Sequence, residues 1–358
     1  MLSFAKRAES IDTWLNNQFN PTWATIIEMV LAGVCVIGLF AVLGLVLVIM
    51  ERKVSAWIQI RLGPNRVGPK GMFQSLADTV KLLVKEAMTP NGSDKFLFNL
   101  APYIAMMVAM LLMAPIAFAK NFRMWDLNIG VLYVSAVSSV SVISILMAGW
   151  SSNNKYSLMG AMRSGAQIVS YELSAGLSIL SIVILTGSLN LNEIIESQSN
   201  GWWIFKGHIP VIIAFIIFLI AATAETNRAP FDLAEAESEL TAGFHTEYSG
   251  MKFALFFLAE YVNVFIVCAI GATLFLGGWM PFHIGHWEAF NHVMDYIPSS
   301  LWFFGKTFFL IFLIMWFRWT FPRLRIDQLL DLEWKYLLPI SMFNILLVTA
   351  MAILGWHL

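Results

Sequence analysis

The sequence is poor in charge. Asp, Glu, Lys and Arg make up 13% of its 358 residues, where a soluble domain carries roughly a quarter. Two or three soluble domains, the prior for this length, are excluded because the polar surface to cover them is missing. Cysteine is nearly absent. Cys35 and Cys268, the two present, each sit in an apolar run. They exclude a disulfide framework and an iron–sulfur cluster ligated by this chain alone, and both are expected to be small core residues. Neither sign of charge dominates, at a net −1, so the overall balance gives no footprint for nucleic acid. The motifs of soluble enzymes are missing too: no paired CxxC, HExxH, GxSxG or dinucleotide fingerprint occurs. His283 and His286 are spaced like a metal pair, but no third ligand accompanies them, so no metal site is expected. The N-terminal stretch, with Lys6, Arg7, Glu9 and Asp12, lacks a small-residue cleavage site and does not read as a removable signal peptide.

What is present is hydrophobic sequence, 58% of the chain. Eight runs have the length of a membrane helix, at residues 24–50, 96–119, 130–149, 165–187, 209–227, 253–276, 303–321 and 335–354. Only helices fit runs of this size, since barrel strands are short and alternating. The expected fold is all-α: a polytopic transmembrane bundle forming one integral membrane domain over 1–358, with an amphipathic interfacial helix and long ordered loops. Sixteen of the 22 lysines and arginines fall in loops 51–95, 150–164, 228–252 and 318–335; the other six are Lys6, Arg7, Lys120, Arg123, Lys206 and Lys306. The positive-inside rule puts those four loops in the cytoplasm and both termini outside.

Two loops are more than connections. In the first, 72–88 reads as an amphipathic helix, with Met72, Phe73, Leu76, Val80, Leu83, Val84 and Ala87 on one face and Gln74, Asp78, Lys81 and Lys85 on the other. The stretch from Arg61 to Pro69 before it has the Gly/Pro punctuation of an ordered, non-helical loop. In the third long loop, Pro230 fits the first turn of a helix, which would set Asp232, Glu235 and Glu239 on one face and point Glu237 elsewhere. With Glu247, these five carboxylates either form a solvated acidic face or serve the membrane carboxylate just before them, Glu225.

Three carboxylates lie inside the apolar runs. Glu172 and Glu260 come eight residues after Ser164 and Lys252, roughly 12 Å below the long-loop edge at the helical rise. Glu225 is shallower, roughly 5 Å from that edge. Buried carboxylates are expensive and mark proton or ion paths by default. The competing reading is structural: each pairs with a buried Arg or Lys and merely holds helices together.

The loop motifs carry a resemblance. Glu51-Arg52-Lys53, Arg61-Leu62-Gly63-Pro64-Asn65, Gly68-Pro69, Ala77-Asp78, Lys81-Leu82 and Lys85-Glu86, together with the stretch from Ala224 to Leu233, Glu235 to Leu240, Glu247-Tyr248 and Phe256 to Tyr261, resemble the membrane H subunit family of NADH-quinone oxidoreductases (respiratory complex I). The two motifs come in the right order, and with the eight spans the likeness covers nearly the whole chain. It implies a subunit of a proton-pumping enzyme with no redox chemistry of its own; the long polar N-terminus favours a bacterial inner membrane, in which the charge asymmetry puts both termini on the periplasmic side. Arg52, Arg61, Asp78 and Lys81 would line or gate the entrance of a lipophilic quinone. Glu172, Glu225, Asp232, Glu235, Glu237, Glu239, Glu247 and Glu260 would carry the acidic path coupling quinone reduction to proton translocation. This chain would bind no cofactor by itself. Quinone would be its substrate, flavin and iron–sulfur clusters would sit in partner subunits, and other complex I subunits and lipid would surround it. A lone proton-coupled transporter, the related subunit of energy-converting hydrogenases and a passive anchor for a peripheral domain are the competing functions.

Overall fold

The computed structural model describes residues 20–120, 122–199, 201–234, 237–283 and 288–356. Its long helices are α1 (Pro21–Ile58), α3 (Lys95–Met113), α4 (Gly130–Ser151), α5 (Lys155–Thr186), α8 (His208–Glu225), α10 (Gly250–Phe275), α12 (Ser299–Thr320) and α14 (Leu338–Leu354). Shorter ones are α2 (Gln74–Val84), α6 (Leu191–Glu196), α7 (Trp203–Lys206), α9 (Glu237–Leu240), α11 (Glu288–Asp295) and α13 (Ile326–Asp331). A π-helical turn, Leu332–Leu337, joins α13 to α14, so the last span runs unbroken over Ile326–Leu354. Among the described residues, eight helices are long and apolar enough to cross a membrane. Helices are obligatory there because hydrocarbon offers no partner for an open backbone.

The boundaries depart from the sequence expectation where side chains intervene. α1 continues to Ile58, so Glu51 and Arg52 belong to a helix rather than to the loop. The second span stops at Met113, before Pro115, which has no N–H to continue it. Ala117–Ala119 then pairs antiparallel with Phe122–Arg123. α2 ends at Val84 instead of Ala87–Met88, because Ser249 takes over the backbone there: its Oγ donates to the Glu86 carbonyl and accepts from Met88 N–H. α5 begins ten residues earlier than expected, capped by Asn154, which accepts from Tyr156 N–H at 2.9 Å.

The helix expected from Pro230 does not form; residues 226–234 are turns, and the helical segment there is the four-residue α9. The backbone acceptors are spent elsewhere. Leu324 N–H donates to the Pro230 carbonyl at 3.2 Å, Gln167 Nε2 donates to those of Ala224 and Phe231, and Arg323 donates to that of Asp232. Tertiary partners thus satisfy the groups that a helix would have paired internally.

α10 is the hub of the bundle, packing against α1, α2, α3, α8 and α12, and from Val264 to Phe275 every residue is buried. α1 is the reverse, with Met29, Val34, Val42 and Val46 exposed. Cys268 is a core residue, whereas Cys35 sits on the outward face of α1, so the core expectation fails for it. α2 also turns its apolar face outward: Leu76, Val80 and Leu83 are exposed, while Ser75 is buried. That is the arrangement of a helix lying at a lipid surface.

Candidate functional site

α10 separates two chambers. On one side Phe253, Phe257 and Leu258, with Gly44 and Val48 of α1 and Leu82 of α2, line an apolar cavity of about 350 Å³. On the other, Glu260 and Asn263, with Glu225, Asn227, Ser141 and Ser144, line a polar cavity of about 50 Å³. A water needs roughly 10–15 Å³ by this measure, so the polar cavity has room for a few. Its Asn263 Oδ1 is buried without a hydrogen-bond partner among the described residues, the kind of atom that a water satisfies. Successive helix residues are about 100° apart, so positions 254 and 258, which line the apolar cavity, and positions 259 and 263, which line the other, fall on different faces.

The mouth of the apolar cavity is charged. Arg52 donates to Asp78 at 2.5 Å, Lys81 stands 3.7 Å from the same carboxylate, and Gln74 donates to it at 3.3 Å. Burial pushes the Asp78 carboxyl up, but the Arg52 hydrogen bond and charge, with Gln74 and Lys81, more than offset this and hold it below its ordinary value. Arg61 does not reach this cavity; it shares an open depression with Arg52, Leu62 and Pro64. The preceding loop is pinned by Lys53 Nζ, which donates to the Pro64 carbonyl at 2.6 Å. Gly71, at φ +77°, closes it: a Cβ there would stand 2.0 Å from the Pro64 oxygen.

Between the chambers and the loops lies a buried ion cluster. Arg228 donates to both oxygens of Glu51, at 3.1 and 3.3 Å, and its Nε lies 3.7 Å from Glu260. Arg318 donates to Glu51 from α12. The Arg228 guanidinium also stacks 4.3 Å above the Tyr261 ring. Desolvation works against the Arg228 charge, but Glu51 and Glu260 outweigh it and raise its pKa above the ordinary arginine value. Two cations and two carboxylates balance formally, which makes the burial sustainable. The Arg318 charge, conspicuous at the end of an apolar run, thus has its partner in the first helix.

The structure brings some of the predicted carboxylates together and disperses others. Glu225 and Glu260 share the polar cavity. Glu172 is near enough to Glu225 to repel it, and accepts a hydrogen bond from Ser139 of α4. Glu239 instead pairs with Arg163 at 2.7 Å, and Glu247 accepts from Asn154 at 2.6 Å. Asp232 is tied to Arg323 through its backbone carbonyl. Glu235 and the Glu237 side chain lie outside the described residues. The structural reading of membrane carboxylates therefore holds in part for Glu260, which stands beside a buried Arg.

Sequence reasoning missed three participants. Glu51 was legible only as a motif letter, although the apolar run does continue past it through Val54 to Ile58. Asn263 gave no signal beyond being polar within a span. Tyr248 is the third: its hydroxyl donates at 3.1 Å to the Phe98 carbonyl. The helical donor for that carbonyl would be residue 102, a proline, so Tyr248 supplies the hydrogen that Pro102 lacks.

These features define a multi-pass helical membrane protein with an apolar chamber and a smaller acidic chamber on two faces of one helix. The NADH dehydrogenase family profile matches residues 30–349. The chain is 58% identical over 335 residues to the NADH-quinone oxidoreductase H subunit of Bacteroides thetaiotaomicron, covering 94% of each chain. It is 54% identical over 357 residues to the H subunit of Phocaeicola vulgatus, covering 100% of each. With that of Carboxydothermus hydrogenoformans it shares 49% over 344 residues, 96% of this chain and 94% of the other. The chain belongs to the NADH dehydrogenase family.

Proposed function

We propose that this chain is a membrane subunit of a proton-pumping NADH:quinone oxidoreductase, in which it admits the quinone and couples quinone reduction to proton movement. The observation that carries the reading is α10, one face of which lines the apolar cavity and another the acidic one. The lipophilic quinone enters between α1, α2 and α10, past Arg52, Asp78 and Lys81, with Arg61 on the outer approach. The electrons come from NADH through redox groups held by partner subunits, one of which binds the quinone headgroup.

Reduction of a quinone to a quinol consumes two electrons and two protons, and so changes the charge beside the cluster. Glu225, Glu260 and Glu172 respond together because interacting carboxylates titrate as a set. Arg228 is the hinge of that response, since it touches both Glu51 and Glu260. Waters in the polar cavity carry the proton between Glu225 and Glu260, with Ser141, Ser144 and Asn263 as their anchors. Asp232, Glu235, Glu237, Glu239 and Glu247 supply the acidic approach from the loops. The chain acts as one integral membrane domain of a bacterial inner membrane, with its long loops cytoplasmic and its termini periplasmic, among other subunits of the complex and lipid.

The test is Glu225→Gln in the assembled complex, reconstituted into vesicles. Proton pumping falls while assembly and the Arg52–Asp78 mouth persist. Normal pumping with normal NADH-dependent quinone reduction would show that this carboxylate is not in the path.

A further inference from the structure

Glu333 takes no part in the sites described so far. It sits on the π-helical turn between α13 and α14, and only 1% of its surface is exposed. π-Helical turns are rare and concentrate at functional positions. Among the described residues no Lys or Arg lies within ion-pair distance of it. An ionised carboxylate buried inside a span without a cation is strongly disfavoured, because neither water nor a counter-charge offsets its desolvation.

The hydrogen bonds around it indicate where a proton resides. Ser174 Oγ lies 3.1 Å from the Tyr171 carbonyl oxygen and 3.1 Å from Glu333 Oε2. A serine hydroxyl has one hydrogen and can donate to only one of two acceptors. Both contacts are satisfied if Ser174 donates to Tyr171 O and a protonated Glu333 donates to Ser174 Oγ. The other carboxyl oxygen, Oε1, is buried with no hydrogen-bond partner among the described residues, a state far less costly for a neutral carbonyl oxygen than for half of a charge. The remaining titratable neighbours do not compete. Tyr171 donates its hydroxyl to the Leu329 carbonyl at 3.0 Å. Lys335 and Asp331 pair with each other at 2.7 Å, at the surface. Residues 172 and 174 of α5 point about 200° apart, so Glu333 and Glu172 lie on opposite faces of that helix.

We propose that Glu333 is a second proton-binding site of this chain, occupied at rest, with Ser174 as its hydrogen-bond partner and separate from the Glu172–Glu225–Glu260 group. When its proton leaves to water, the Ser174 hydrogen swings from Tyr171 O to the carboxylate. The ionised form therefore depends on Ser174, and the proton held is sensitive to the contact between α5 and the π-turn.

The test uses infrared spectroscopy of the assembled complex in native membranes, comparing wild type with Glu333→Gln, Ser174→Ala and Glu225→Gln. One protonated-carboxyl C=O band is expected to vanish in Glu333→Gln and to remain in Glu225→Gln. In Ser174→Ala it shifts in frequency and persists to higher pH, because the ionised form has lost its donor. A wild-type spectrum with no band missing in Glu333→Gln overturns the proposal. So does a band whose pH midpoint is the same in Ser174→Ala, which would mark a carboxyl held neutral by burial alone. Should Glu333→Gln fail to assemble, the Ser174→Ala comparison still decides. A loss of pumping in Glu225→Gln has no bearing on either outcome.

Discussion

Glu51 and Arg52 are neighbours in the chain and serve opposite sites: Glu51 receives Arg228 and Arg318 in the buried cluster, and Arg52 closes on Asp78 at the mouth of the apolar cavity. On a helix adjacent side chains diverge by about 100°, so a single turn of α1 touches both the buried ion cluster and the apolar cavity. The mouth and the charge cluster are therefore one residue of backbone apart.

Arg228→Met leaves Arg318 as the remaining cation beside Glu51 and takes the Arg228 charge away from Glu260. Removing one member of a buried pair costs about 3–5 kcal/mol. The thermal unfolding midpoint of the detergent-purified complex falls accordingly. The double variant Arg228→Met/Glu51→Gln recovers part of the loss, because it no longer buries the orphaned charge.

Gly44→Leu narrows the apolar cavity. A Cβ at Gly44 already meets Leu258 Cδ1 at 2.1 Å, so a larger side chain displaces Leu258 into the chamber. Quinone reduction slows, with long-tailed quinones affected most, while NADH oxidation by a water-soluble electron acceptor is unchanged. Equal loss with both acceptors would point to misassembly instead.

The Asp78 carboxyl, held below its ordinary value, stabilises the mouth above the unfolded pKa of about 4 and loses that contribution as pH falls through the lower folded value. Well above both values, in the neutral range, the Arg52–Asp78 contact is constant. Asp78→Asn flattens the acid limb of a stability-versus-pH curve and leaves the neutral region parallel to wild type. A curve with an unchanged acid limb would remove Asp78 from the account.

Tyr248→Phe strands the buried Phe98 carbonyl that Pro102 cannot serve. The expected cost is about 1–3 kcal/mol, read as a lower unfolding midpoint. Burial, partly offset by a hydrogen bond with Ser151, pushes the Tyr248 phenol up to about 12. Unfolded tyrosine titrates at about 10, so this residue's contribution is full below that pH and declines above it. A spectrophotometric phenolate titration of wild type against Tyr248→Phe isolates it.

Glu239→Gln and Glu247→Gln separate the cavity from the loop. Glu239 is an exposed partner of Arg163, a kind of contact worth about 0–1 kcal/mol. As members of the proposed acidic approach, both loop variants are expected to lower proton pumping, as Glu260→Gln does. Near wild-type pumping in both, with loss only in Glu260→Gln, would confine the path to the carboxylates around the polar cavity.

The sequence by itself determined the spans, since about 20 apolar residues in a bilayer can only be helical, and it placed Glu172, Glu225 and Glu260 within them. It also set Asp78 and Lys81 on the polar face of an amphipathic segment, whereas Arg52 and Arg61 joined them only through the resemblance of the loop motifs. Tertiary structure decided which charges meet. Glu51, Arg228, Arg318 and Glu260 come from four separate segments, and no periodicity encodes a contact across 267 residues. The same holds for the stretch after Pro230: its local pattern favours a helix, but Gln167, Leu324 and Arg323 bond its carbonyls first. Local propensity is worth a few tenths of a kcal/mol per residue, whereas leaving buried polar groups unpaired costs about 1–3 kcal/mol each. The cost of unpaired buried groups therefore set the course of this loop.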